Sequence, residues 1–383
     1  MNQHRRISAP PWVTGLAALA ALAATGLVAV GCRSREPVRI GVVVSHDAEA
    51  GARFAATEIN AVGGILGRPL VLQVIAGANT RASLALAAAE SLSLDSTVIG
   101  IVGHSNSSAS LSAAQIYNAR RVVQIAPTST APLLSQAGPY TFRLVASDVH
   151  QARFLADLIM ADNAKPRTAL FFVNDDYGHA LNQELRARLA RGNVPVVYDG
   201  PYTGEASLPD VATIASTVAD GHPELLVWLG RTLQIRQLLP ALRPVLPGLR
   251  ILASDGIDSI ETTLNADGLL TGVRYVSLVD PSPSRAALHG LRTRFRAATG
   301  APLAAEAALT YDAVMLIATA ARAVGTEREA IRDYLAALGS RRPAYEGATA
   351  ALAFDPNGDP RPAYYLAEIT AAGTRFISRS RPE

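Results

Sequence analysis

From Val38 onward the chain alternates short apolar, β-branched runs with longer runs in which apolar residues return every three to four positions. The short runs are VRIGVVV (Val38–Val44), VLQVI (Val71–Ile75), TVIGIV (Thr97–Val102), VVQIA (Val122–Ala126) and TFRL (Thr141–Leu144). They continue as TALFFV (Thr168–Val173), VPVVY (Val194–Tyr198), ELLVWL (Glu224–Leu229), RILAS (Arg250–Ser254) and VRYVSL (Val273–Leu278). Most are nearly continuous in apolar character, as a strand reads when both of its faces are covered. Between the first two runs, Ala48, Ala52, Ala55 and Ile59 recur at helical spacing, and Gly63-Gly64 stops that helix. Strands alternating with helices predict parallel sheets with helices on both faces. There are too many strands for one sheet of ordinary size, so the pattern predicts an α/β protein of two doubly wound, Rossmann-like lobes.

Length agrees with that division, since 383 residues exceed the roughly 250–300 at which single cores stop growing. Apolar residues make up 49% of the chain and aromatics only 5%, so the core is built from Ala, Leu, Val and Ile. Nearly all basic residues are arginine, Lys165 being the only lysine. A net charge of +3 points to neither nucleic acid nor a strongly charged partner.

The first 31 residues read differently. A basic head, MNQHRR, precedes the apolar run WVTGLAALAALAATGLVAV, and Cys32, the only cysteine, follows Ala29-Val30-Gly31. This is the layout of a secretory signal, with an uncleaved anchor as the alternative, since the run is close to spanning length. The cysteine after small residues resembles a bacterial lipobox, with Ala29 where leucine is more usual. The expectation is a signal peptide over 1–31, lipid on Cys32 and a short tether over 32–37. One cysteine cannot form a disulfide, which fits an exported chain held by lipid instead.

One stretch, GHSNSSAS (Gly103–Ser110), crowds hydroxyl and amide groups between a buried strand and a helix. In a doubly wound sheet that is where ligands sit, beyond the carboxyl ends of strands and beside the free N–H groups of a helix start. The plain alternative is an N-cap cluster. Read with INAVGGILGRPL, IAPTSTAPLL, NDDYG, ASDG, TYDAV and AFDPNGDP, in that order and spacing, the stretch resembles one family. It is similar to the branched-chain-amino-acid-binding proteins of ABC transporters, the type I periplasmic binding proteins, over essentially everything from Val38. The resemblance implies two lobes joined by three hinge crossovers near Val145, Val279 and Glu346. One lobe then comprises 38–145 plus 280–345 and the other 146–279 plus 346–383.

The resemblance also implies site residues. Ser107 matches the serine that binds a ligand α-carboxylate, with Ser105 and Asn106 shaping the pocket beside it. The backbone carbonyl of Ser129 and the hydroxyl of Thr130 match acceptors for an α-ammonium group, which needs about three of them. From the other lobe, Asp255 matches the acid that pairs with the ammonium, and Tyr177 the aromatic that covers the ligand. Without a ligand, Asp255 reads as a turn residue and Tyr177 as packing. Two departures stand out. SHDAEAGARFA runs almost directly into its helix, where the family carries a longer covering loop. Arg231 and Thr232 stand where a cleft aromatic is frequent, and Arg231 could bind a second carboxylate or reach into solvent.

The implied function is capture of a small polar ligand, an amino acid or related amide or carboxylate, for delivery to an ABC transporter permease. No cofactor or metal is implied, and the partners are that ligand, the permease and the membrane. A sensing receptor with the same two lobes is the alternative. A hydrolase is disfavoured: GHSNS ends in serine where a nucleophile elbow needs glycine. DPNGDP imitates a calcium loop but carries Pro360 at the glycine position and Leu366 at the closing glutamate position, so it reads as a hairpin turn.

Overall fold

The computed structural model describes Met1 and residues 36–78, 81–203, 208–280 and 284–380, side chains of 260 and 261 excepted. The signal-like run and Cys32 lie outside the described residues. Residues from Pro37 onward form one compact unit.

The first sheet holds β1 (Val38–Val43), β2 (Leu70–Val74), β3 (Val98–Gly103), β4 (Gln124–Ala126) and β5 (Thr141–Arg143) in the order β2-β1-β3-β4-β5, all parallel. Its first three helices are α1 (His46–Ala61), α2 (Ala82–Leu94) and α3 (Ser107–Ala119). Chain order reverses between β1 and β3, and that reversal is the topological switch point of the sheet.

The second sheet takes β6 (Thr168–Val173), β7 (Val196–Tyr202), β8 (Leu225–Leu229), β9 (Arg250–Ala253) and β10 (Arg274–Ser277), all parallel. Around it lie α4 (Asp148–Met160), α5 (Asp176–Arg191), α6 (Val211–Asp220), α7 (Thr232–Val245) and the short α8 (Ile260–Leu264). Its switch point falls between β6 and β8.

Beyond β10 the chain returns to the first sheet. It forms α9 (Ala286–Thr299), α10 (Ala305–Val324) and α11 (Arg328–Ala336), and α10 packs along α1. A small pair, β11 (Tyr345–Glu346) and β12 (Ala351–Leu352), precedes the last crossing. The chain then adds β13 (Tyr365–Thr370) and β14 (Gly373–Arg379) to the second sheet, β13 antiparallel to β10 and β14 antiparallel to β13. Two doubly wound lobes are what the pattern predicts and three crossings what the resemblance implies; the antiparallel pair is in neither. In β13 and β14, at one edge of the sheet, polar residues such as Glu368, Thr370, Thr374, Arg375 and Ser378 interrupt the apolar ones, so both lack the continuous apolar run that marks the central strands.

DPNGDP is not a hairpin turn. Its flanking strands do not pair with each other: β12 pairs with β11, and β13 with β10 and β14. The loop is closed instead by Asp355, whose Oδ1 accepts from the backbone N–H groups of Asn357 and Asp359 at 2.8 and 3.0 Å. Other family motifs are also fold staples. Asn60 of INAVGG bridges to both backbone groups of Leu70, and Asp312 of TYDAV accepts from Ala348 N, Thr349 N and Thr349 Oγ1.

Candidate functional site

Both switch points face one cavity, of about 50 Å³. It is lined by Ser105, Asn106, Ser107, Thr128 and Glu306 from the first lobe, and by Tyr177, Arg231, Asp255, Gly256, Asp258 and Leu278 from the second lobe and its crossing. The lobes also meet directly, Asp176 N donating to Ser108 Oγ at 3.3 Å.

In the first lobe, β3 ends at Gly103 and the crowded hydroxyls divide their work. Asn106 caps α3, its Oδ1 accepting from Ala109 N at 2.8 Å. Ser110 and Ser129 brace the turn from behind, their hydroxyls 2.7 Å apart and both donating to His104 O. Ser105 Oγ accepts from Ser45 N at 3.1 Å, tying the ends of β1 and β3 together at the switch point. Thr128 Oγ1 donates to Ser105 O at 2.8 Å. Ser107, on the first turn of α3, accepts from Ala131 N at 3.2 Å and, among the described residues, shows no other side-chain partner. The first N–H groups of a helix have no intrahelical acceptor, so this edge of the cavity is suited to a carboxylate.

The second lobe supplies charge. Asp175 caps α5, its Oδ1 accepting from Gly178 N at 3.0 Å. Gly178 is required there, because a Cβ would stand 1.9 Å from Val173 O. The other Asp175 oxygen accepts from Arg231 Nη2 at 2.6 Å across the β6–β8 switch point. Arg231 N donates to Tyr202 OH, and Tyr202 stacks on Trp228 at 4.7 Å, so an aromatic wall fixes the arginine's backbone. Burial opposes the charge on Arg231, but Asp175 more than offsets it and raises the guanidinium pKa.

Asp255 follows β9 and is almost fully buried. Its Oδ1 accepts from Tyr177 OH at 2.6 Å and Gln151 Nε2 at 2.8 Å, and its N–H donates to Gln151 Oε1 at 3.0 Å. The same Gln151 Nε2 donates to Asp148 Oδ1 at 3.0 Å, so one amide bridges two buried carboxyls. Burial raises both, and repulsion from Asp255 raises Asp148 further, while Tyr177, Gln151 and Arg231 hold Asp255 lower. Of the two, Asp148 is the one raised further, and Asp255 is the member that lines the cavity. Asp258 accepts from Ser277 Oγ and Leu278 N at 2.7 and 3.1 Å, and burial raises its pKa to about 7.

Six sequence-expected residues meet at the cavity: Ser105, Asn106, Ser107, Tyr177, Arg231 and Asp255. Ser129 and Thr130 do not line it. The Ser129 hydroxyl braces the turn, and the Thr130 hydroxyl is fully buried outside the lining. Thr128, two residues before Thr130, lines it instead. Arg231 faces the cavity, not solvent alone. Sequence reading missed Asp258 and Glu306; Asp258 lies three residues past Asp255, while nothing local marks Glu306. Among the described residues, no group of His, Cys, Asp and Glu is placed to hold a metal ion. A larger groove, about 750 Å³, lies where β8, β9 and β10 begin, opposite to the end at which doubly wound sheets bind ligands.

Solved structures share this fold. A leucine-binding protein from Thermotoga maritima superposes with a TM-score of 0.80 at 21% identity, over 90% of this chain and 99% of that one. A branched-chain amino acid transporter substrate-binding protein from Streptococcus pneumoniae, in complex with isoleucine, gives 0.80 at 19% identity, over 91% and 100%. By sequence, a Leu/Ile/Val-binding protein homolog of Brucella abortus is 24% identical over 359 residues, 91% of this chain and 93% of that one. An amino acid binding protein of Pseudomonas aeruginosa is 27% identical over 274 residues, 68% and 72% respectively. The family of periplasmic binding proteins matches residues 41–374, so the chain belongs to that family.

Proposed function

We propose that the chain is an exported, lipid-anchored solute-binding protein that closes on a small amino-acid-like ligand and delivers it to an ABC transporter permease. The observation that carries this reading is the pairing of unlike ends in one cavity. Ser107 and the start of α3 stand at one edge, and the Asp255 carboxyl beside Tyr177 at another. A helix start suits a carboxylate and a buried carboxylate suits an ammonium. The two come from different lobes, so closure completes the site and binding is coupled to hinge motion. The hinges of this reading lie near Val145, Val279 and Glu346, and Cys32 is its lipid attachment point. The relatives named for leucine, isoleucine and valine support an amino acid as the class of ligand.

Titration calorimetry tests it with a panel of free amino acids, each beside its N-acetyl derivative and its decarboxylated amine. A free amino acid is expected to bind, and loss of either backbone charge to abolish binding. Asp255→Asn is expected to weaken the best ligand at least about tenfold, since a buried cation then loses its charged partner. Equal binding of an amino acid and its N-acetyl derivative rules the reading out.

A further inference from the structure

The make-up of the cavity lining bears on the side chain a ligand could carry. Of the eleven lining residues, Leu278 alone carries an aliphatic side chain. An aliphatic ligand side chain gains about 25 cal/mol for each Å² it buries against apolar partners, and few stand here. It would also strip water from polar groups without replacing their hydrogen bonds.

Charge runs the same way. Among the described residues that line the cavity, three carry carboxyl groups, Asp255, Asp258 and Glu306, and one a guanidinium, Arg231, which Asp175 already matches at 2.6 Å. Asp255 is assigned to the α-ammonium; Asp258 and Glu306 are the other two acids of the lining. They come from opposite sides: Asp258 from the turn after β9, Glu306 from the first turn of α10. Glu306 is a positioned group. Its Oε2 accepts from Ser45 Oγ at 2.7 Å, and Ser45 is in turn fixed as the cap of α1, accepting from Ala48 N at 3.2 Å. The positive end of α10 favours negative charge at that place. Only Val44 and Ser45 separate β1 from α1, and this short connection is what puts Ser45 beside Glu306.

We propose that the bound amino acid has a basic side chain, its cationic end held between Asp258 and Glu306, in place of the aliphatic branch its relatives' names suggest. The inference rests on the amino-acid reading above, and the experiment separates the two. The full chain is titrated with L-ornithine, L-lysine, L-arginine, L-leucine, L-asparagine and L-glutamate. At least one basic amino acid is expected to bind about tenfold or more tightly than leucine, asparagine and glutamate, as for a close buried charge pair. Glu306→Gln, nearly isosteric, is expected to shrink that preference at least fivefold; Asp258→Asn serves the same purpose from the other lobe. Tighter binding of leucine, asparagine or glutamate overturns the proposal and leaves the amino-acid reading standing. A preference unchanged in both variants overturns the assignment of these two acids. Binding of no amino acid overturns both readings.

Discussion

Burial lifts the Asp258 carboxyl to about 7, and the neighbouring Asp255 and Glu306 push in the same direction. The folded protein therefore keeps a proton that the unfolded chain releases at ordinary carboxyl pKa. It binds more protons than the unfolded state between about pH 4 and 7, so stability falls as pH rises through that window and levels off above it. Asp258→Asn keeps an oxygen to accept from Ser277 Oγ and Leu278 N but has no proton to lose. It is expected to gain on the parent across the window, by about 2–4 kcal/mol at pH 8. Urea unfolding at pH 5 and pH 8 reads the change. Asp255, Glu306, Tyr275 and Arg292 titrate or carry charge nearby in both proteins, so the comparison isolates Asp258. A gap that stays constant with pH would assign the effect to packing. At this scale the legible residues were those inside local motifs, Ser107, Tyr177 and Asp255. Glu306 was not legible, because its neighbour Ser45 lies 261 positions away.

At the scale of elements, nearly continuous apolar runs located the central strands, while the two switch points came only from the strand order. Helices were harder to judge. α10 is long and apolar enough to cross a membrane, yet it is mostly buried along α1 inside the first lobe. That packing depends on Gly51, midway along α1, where a Cβ would stand 1.8 Å from Ala307 O. Ala has the better helix propensity by about 1 kcal/mol, so an isolated helix would gain from the exchange. Here overpacking outweighs it. Gly51→Ala is expected to destabilise by about 1–3 kcal/mol, read as a lower Tm, because α10 must move outward. The displaced residue next to Ala307 is Glu306, so the variant should also bind the ligand more weakly. A Tm at or above the parent's would mean that the helices have room to spare.

The whole molecule is joined where its separated segments meet. Arg143, at the end of β5, is fully buried and gathers them. Its Nη1 donates to the carbonyls of Thr130 and Ala131 at 3.1 Å each, and its Nη2 to Ser135 Oγ and Asp359 Oδ2 at 2.6 and 2.5 Å. Asp359 lies on the segment that leads into β13 and the second sheet, so this pair links the last part of the chain to the first sheet. Sequence reading recovered the two repeated lobes because each repeats one local pattern. It missed this junction because a buried arginine in TFRL and an acid in DPNGDP show nothing of each other across 216 positions. Breaking a buried pair by removing one partner costs about 3–5 kcal/mol, since the other charge is left uncompensated. Asp359 is partly exposed, and Arg143 would keep three acceptors, so Asp359→Ala is expected to cost less, about 2–3 kcal/mol. Asp359→Asn, which keeps an acceptor oxygen, should recover part of that loss. Denaturant unfolding of the two variants separates charge from hydrogen bonding. If both unfold with the parent's midpoint, the segments are held by apolar packing alone, and the junction at Arg143 contributes geometry without stability.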